Sequence, residues 1–185
     1  MSVLSQPQGT PERVWSLIDG LQAVGGLLRQ EDFAALLNPG YTREGSTVAV
    51  HRAQAQNAVG VSTSLKLVEK EGNEFRLAVA KGITRESFSD LIHDVLLEFG
   101  EAEPNAVMLD AYAWLVAESH RRKDLAWCAD MDRTSLVEAM LVGLTGDDDD
   151  GSRPMNTTKL PAWQRWLVFI GLCEDLPTSS NPDYA

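Results

Sequence analysis

The chain has 185 residues, of which 44% are apolar, and its 27 acidic and 16 basic residues give a net charge of −11 at pH 7. This length suits one large domain or two small ones, and the apolar fraction excludes a wholly disordered chain. No apolar run reaches the roughly 18 to 20 residues of a membrane-spanning helix. The first ten residues also lack the basic start and apolar stretch of a signal peptide. We therefore expect a cytoplasmic protein that does not contact a membrane.

Residues 10–82 are predicted to form three short helices followed by a β-hairpin. Pro11 is typical of a first helical turn when a capping residue such as Thr10 precedes it, and Gly25 and Gly26 are typical helix terminators. The predicted elements are helices at residues 11–24, 31–37 and about 49–65, and a hairpin with its turn at residues 71–73. This order is typical of a winged helix-turn-helix.

In a winged helix, the third helix presents polar side chains to the DNA major groove. Gln and Asn can bind adenine edges, and Arg can bind guanine or phosphate. The candidate nucleic-acid contacts are Arg52, Gln54 and Asn57 on the third helix and Lys66 and Lys70 in the hairpin. An ordinary solvated helix face remains the alternative interpretation, and the three glutamates around Lys70 disfavour DNA there.

Residues 84–175 are predicted to form an acidic α-helical bundle, and residues 176–185 a loop-like tail. The first of its four amphipathic helices is capped by Thr84, and the second spans about residues 106–120. The third is capped by Asp130 or Asp132, and the fourth begins at Pro161. The acidic run at residues 147–150 does not fit the EF-hand spacing, so we expect a solvated loop. The predicted fold is mainly α (α+β), an N-terminal winged helix-turn-helix followed by a bundle.

Two features of the second module are candidate contacts for a protein partner. Arg121, Arg122 and Lys123 form a basic cluster at a helix end, where cations also stabilise the helix dipole. Trp163 shares a helix face with Trp166, and such a pair is either core or an exposed anchor for a partner.

The sequence contains no recognisable catalytic motif. Cys128 and Cys173 lie far apart in apolar stretches and are expected to be buried free thiols. The sequence therefore predicts no metal site, no cofactor and no enzymatic activity. Up to Ile83 there are eight basic and eight acidic residues, and after it eight basic and nineteen acidic, so the second module carries the whole charge of −11.

Several short motifs resemble DpdG-type proteins, which are accessory proteins of bacterial clusters that insert 7-deazaguanine bases into DNA and restrict foreign DNA. The motifs are P-E-R-V-W, a Glu-Asp-Phe helix ending in L-N-P, an L-x-L-V-E hairpin, and N-T-T-K followed by W-x-R-W-L-x-F-I-G-L. The resemblance implies a winged-helix component of a DNA-modification or phage-defence assembly.

Two functions of different classes fit these observations. The first is a non-enzymatic adaptor that docks on partner proteins of a DNA-acting system, because the first module is neutral and the second acidic. The second is a sequence-specific DNA-binding regulator that uses the third helix, with a homodimer supplying two-fold symmetry. We expect DNA binding by the protein alone to be weak, because tight binders neutralise about six or more phosphates.

Overall fold

The computed structural model describes residues 2–37, 42–43, 46–47, 53–128, 130–145 and 153–174. The helices in these ranges are a short 3-10 helix at Val3–Ser5 and α1 (Pro11–Ala23), α2 (Gln30–Leu37), α3 (Ala53–Ser64), α4 (Arg85–Leu97), α5 (Val107–Arg122), α6 (Arg133–Thr145) and α7 (Lys159–Phe169). The strands are β1 (Leu27–Arg29), β2 (Thr42–Arg43), β3 (Ser46–Thr47), β4 (Val68–Glu71) and β5 (Glu74–Leu77). The predicted mainly α (α+β) class is confirmed. The predicted acidic loop at residues 147–150 and the tail at residues 176–185 lie outside the described residues.

The first part of the chain has the predicted helices and hairpin, together with three strands that were not predicted from the sequence, β1, β2 and β3. Strand β1 pairs antiparallel with β5, which also pairs antiparallel with β4, so the sheet order is β1-β5-β4. In this register Leu27 lies opposite Arg76 and Lys70 lies opposite Phe75. The identification of residues 10–82 as a winged helix-turn-helix stays a prediction.

Helix α1 ends at the predicted glycines because both adopt positive φ angles, 84° at Gly25 and 98° at Gly26, which side chains with a Cβ rarely tolerate. The Gly26 amide donates back to the Leu21 carbonyl across 2.6 Å and closes the helix. At the other end Thr10 precedes Pro11 as predicted, but its side chain makes no capping hydrogen bond. Val24, the residue before these glycines, is 54% exposed.

Side-chain caps stabilise the first ends of α4 and α6. Thr84 and Ser87 form a reciprocal capping box at the start of α4, as expected from Thr84. Asp132 accepts hydrogen bonds from two backbone amides at the start of α6, which confirms it as the cap. Helix α7 begins at Lys159, not at Pro161, and Asn156 Oδ1 accepts hydrogen bonds from the backbone amides of Thr158 and Lys159.

One hydrophobic core runs through both halves of the chain. Helix α5 packs on α4 and α6, while α7 packs on the N-terminal 3-10 helix and on α1. Ring centroids of Trp15 and Phe88 lie 5.2 Å apart, and those of Phe88 and Phe169 lie 5.7 Å apart. The division at residues 82–84 stays a prediction, but the two halves share apolar contacts.

Residues 2–10 pack on α3 and on the second half. Val3 and Leu4 are buried, and the Val3 amide donates to Asn105 Oδ1 across 2.9 Å. The side chain of Asn105 also donates through Nδ2 to the carbonyl of Ser64 at the end of α3. Gly9 lies so close to α3 that a Cβ there would be 2.8 Å from the Asn57 carbonyl oxygen. This segment therefore covers one side of α3.

Candidate nucleic-acid and partner interface

The α3 side chains proposed to contact DNA differ in exposure and in their hydrogen bonds within the chain. Gln54 is half-buried, and Arg52 lies outside the described residues. The neighbouring Gln56, which was not among the predicted contacts, is exposed. Both ends of the Asn57 amide are used within the chain: Nδ2 donates to the Ala53 carbonyl across 2.8 Å, and Oδ1 accepts from the Gln8 amide across 3.3 Å. Asn57 therefore fastens the N-terminal segment to α3, and a base edge would have to compete for it.

Lys66 links the two halves of the chain. Its backbone has a positive φ of 58°, and its Nζ lies 3.2 Å from a carboxylate oxygen of Glu103. The ammonium also lies 4.7 Å from the centroid of the Phe99 ring, within the range of a cation–π interaction. Although its side chain is largely exposed, the charge of Lys66 is offset by this carboxylate.

The three-stranded sheet is electrically neutral. Its cations are Arg29, Lys70 and Arg76, and its carboxylates are Glu69, Glu71 and Glu74, so three positive and three negative charges cancel. Arg76 lies 2.9 Å from Glu71, and Arg29 lies 3.8 Å from Glu74. Lys70 is exposed on the edge strand β4, with a glutamate on either side. The hairpin therefore presents no positive excess to a phosphate backbone.

The basic cluster at the end of α5 is organised around Glu118. Its carboxylate accepts from Arg121 and Arg122 at distances of 2.6 to 2.7 Å. These hydrogen bonds lower the pKa of Glu118 to about 2. Arg122 also lies over the ring of Trp127, 4.3 Å from its centroid. Lys123 ends the helix with a positive φ of 55° and is exposed. The cluster brings the predicted residues together, but it is partly neutralised within the chain.

Trp163 does not form an exposed anchor, which corrects the prediction of a partner contact there. It is 2% exposed, and its indole Nε1 donates to the Met108 carbonyl across 2.9 Å. Trp166 is equally buried. The pair belongs to the core, as the alternative interpretation held, because α7 turns this face toward the rest of the chain.

Several large apolar side chains that were not among the predicted contacts are exposed. They include Leu125 in the loop after α5, 87% exposed, Val142 on α6, 73% exposed, and Val116 on α5, 50% exposed. Helix α6 is apolar on nearly all sides in sequence (LVEAMLVGL), so periodicity could not show which residues face outward.

The remaining groups have structural surroundings. Cys128 and Cys173 are half-buried free thiols, less buried than expected. Burial raises the pKa of the Cys173 thiol, and the nearby Cys128 adds to the effect. Within the described ranges, no three His, Cys, Asp or Glu side chains gather as a possible metal site. No helix in the same ranges has the length and apolar character needed to cross a membrane.

Comparison with known proteins assigns the chain to a family. The family model described as DpdG-like matches residues 1–183, nearly the whole length. No curated protein and no solved structure matches the chain. The match confirms the resemblance found in the short motifs and indicates an accessory role in a DNA-modification system. The chain therefore belongs to the DpdG-like family.

Proposed function

We propose that this protein is a non-enzymatic adaptor subunit of a bacterial DNA-modification or phage-defence assembly, and that it acts by docking on partner proteins. The observation that carries the proposal is the state of the candidate DNA contacts. Asn57 is engaged with the N-terminal segment, and Lys66 is paired with Glu103. The hairpin around Lys70 has no net charge. Tight DNA binding by the protein alone would require free cations on α3 and the hairpin.

The arrangement of residues 10–82 supports a winged helix as the docking module. The elements follow in the order α1, β1, α2, the short strand pair β2 and β3, α3 and the hairpin β4–β5, and β5 lies between β1 and β4. In DNA-binding winged helices the third helix enters the major groove. Here the N-terminal segment already covers one side of α3, and the hairpin is neutral. These features suit a protein-docking use of the module better than phosphate contacts.

Three carboxylates with lowered pKa values have structural explanations. Arg121 and Arg122 lower the pKa of Glu118, and hydrogen bonds with Ser135 lower that of Asp132 at the start of α6. Backbone hydrogen bonding at the start of α4 lowers the pKa of Glu86. Catalytic groups usually owe such shifts to a cleft that buries them. Each of these three lies at a helix end and is accounted for by capping or ion pairing.

A salt-titrated DNA-binding assay combined with co-purification tests the proposal. The purified protein should bind duplex DNA no more tightly than the non-specific range of about 10⁻⁴ to 10⁻⁶ M near physiological salt, with a shallow salt dependence. When the gene is expressed with its neighbouring genes, the tagged protein should retain one or more of their products. The complex should persist after nuclease treatment of the lysate, because the contact is between proteins. Loss of every partner upon nuclease treatment would contradict the adaptor function.

The alternative function, a sequence-specific DNA-binding regulator, is favoured by the exposed Gln56 and half-exposed Gln54 on α3. Nanomolar, sequence-dependent binding by the protein alone would place this function first, provided that the Gln54→Ala variant abolishes it. Gln54→Ala is a cleaner test than Asn57→Ala, because Asn57 also holds the N-terminal segment. Gln164→Ala, at a half-buried position on α7, is the control, because it removes the same side chain far from α3 in sequence.

A further inference from the structure

The outer face of α5 is apolar, although the helix already has a buried face. Met108 and Ala111 are fully buried on the inner side. Ala113, Val116 and Ala117 are all exposed on the outer side. Ala113 and Ala117 are one helical turn apart, so they lie above one another along the helix. A face with such small side chains lets a second helix approach closely, at the short end of the usual interaxial range of about 8 to 10 Å.

Opposite charges lie at the two ends of this outer face. Asp110 lies at the first end, where partial burial and the neighbouring Glu101 raise the pKa of its carboxyl group. Arg121 lies at the second end, where it and Arg122 share the single carboxylate of Glu118. Two guanidinium groups against one carboxylate leave a positive charge. The two ends are eleven residues apart, which is about 16 Å along the helix.

We propose that the outer face of α5 binds the same face of a second copy of this chain, with the two helices antiparallel about a two-fold axis near Val116. In that arrangement Asp110 lies opposite the partner's Arg121, and the same pair forms again across the axis. A two-fold interface requires a surface that is complementary to itself. One negative and one positive end, equally distant from a small apolar centre, meet that requirement.

The neighbouring helix α6 packs closely on α5. Gly143 of α6 lies directly against the indole of Trp114 on α5. Val142, the adjoining residue on α6, is 73% exposed. Burial of apolar side chains supplies the affinity, and the charged ends fix the antiparallel direction.

Charge reversal in the full-length chain tests the interface. The wild-type protein should sediment with increasing concentration toward the mass of two chains, each of 20.3 kDa, over about 1 to 100 µM. Asp110→Arg sets like charges opposite each other at both ends, so the dissociation constant should rise at least about tenfold. The double variant Asp110→Arg with Arg121→Glu restores opposite charges and should recover dimerisation.

Two further variants separate this interface from other effects of charge. Asp90→Arg makes the same charge change at an exposed site on α4 and should leave the dissociation constant unaltered. Val116→Asp, at the centre of the face, should give a folded monomer with an unchanged circular dichroism spectrum. A wild-type protein that stays monomeric throughout the range overturns the proposal. A dimer that both Asp110→Arg and Val116→Asp leave intact also overturns it. These results concern the purified chain alone and do not depend on whether it co-purifies with other proteins.

Discussion

Trp166 is a residue whose burial decides much of the stability of the second half. It is 2% exposed, and its ring meets that of Phe169 edge to face, with centroids 6.0 Å apart. Replacing it with Ala should lower the free energy of unfolding by about 3 to 5 kcal/mol, because apolar contacts are lost and a cavity is left. Urea denaturation followed by circular dichroism measures the change.

Leu125→Ala is the control for Trp166→Ala, since this leucine is 87% exposed. It should change the free energy of unfolding by no more than about 0.5 kcal/mol. A loss below about 1 kcal/mol in Trp166→Ala would show that the tryptophan is not a core residue in solution.

Glu118 should make stability depend on pH in the acid range. Hydrogen bonds from Arg121 and Arg122 lower its pKa from 4.5 to about 2, so the folded state favours the ionised form. The stabilisation is fully present above the unfolded-state pKa and is lost as the pH falls through the folded-state pKa. Wild type should therefore exceed Glu118→Gln in melting temperature above about pH 5, and the difference should vanish near pH 2.

The control for Glu118 is Asp90→Asn, which removes an exposed carboxylate that has no ion pair within the described part of the chain. Its melting temperature should follow that of wild type across the same pH range. A difference between wild type and Glu118→Gln that stays constant down to pH 2 would show that the carboxylate acts through packing and not through its charge.

At the scale of the elements, the contact between α5 and α6 depends on one glycine. A Cβ at Gly143 would overlap the indole of Trp114, so Gly143→Ala must displace that ring. We expect a loss of about 1 to 3 kcal/mol in the free energy of unfolding, typical of overpacking. Alanine's better helix propensity, worth about 1 kcal/mol, offsets only part of it.

Gly20 on α1 offers the matched control. No atom lies within 4 Å of the position that its Cβ would occupy, and its φ is not positive. Gly20→Ala should therefore raise the melting temperature through helix propensity alone. Thermal denaturation of both variants should give shifts of opposite sign. A stabilised Gly143→Ala would mean that Trp114 moves aside without cost.

Elements with local signals could be predicted from the sequence, and those formed by distant contacts could not. Thr84 and Asp132 mark the starts of α4 and α6 because capping involves neighbouring residues. Strand β1 has three residues, and it exists only because residues 27–29 pair with residues 74–76. Nothing near Leu27 in the sequence indicates that pairing. The N-terminal segment packs on Asn105, which is also distant in sequence, and this contact was not predicted.

The candidate DNA contacts could likewise be predicted only in part. The sequence shows which residues could contact DNA, since side-chain chemistry is local information. It does not show that Glu103 lies beside Lys66, or that Gln8 binds Asn57. Both contacts join distant parts of the chain and change how available a residue is. The sequence therefore predicted the candidate residues, and the fold determined how many of them are free.

At the scale of the whole molecule, side chains tie the two halves together. The Gln22 side chain accepts from the amides of Gly82 and Ile83 at 2.8 and 2.9 Å, and donates to the Ile83 carbonyl at 3.0 Å. These bonds hold the connection between the halves against α1. Trp15 on α1 packs on Phe88 of α4 beside them. Residues 10–82 could move independently of residues 84–175 only if all of these contacts were broken.

We therefore predict that the protein unfolds in one cooperative transition, with tryptophan fluorescence and far-ultraviolet circular dichroism giving the same midpoint. Gln22→Ala should shift that transition by about 1 to 3 kcal/mol without splitting it, because three hydrogen bonds to the backbone of Gly82 and Ile83 are lost, each worth about 0.5 to 1.5 kcal/mol. Gln56→Ala, at an exposed position, is the control and should stay within about 0.5 kcal/mol of wild type. Residues 1–82 alone should not fold cooperatively, since Trp15 and Leu4 would lose apolar neighbours in the shared core. Two resolved transitions, or a stable fragment 1–82, would show that the N-terminal module is an independent domain.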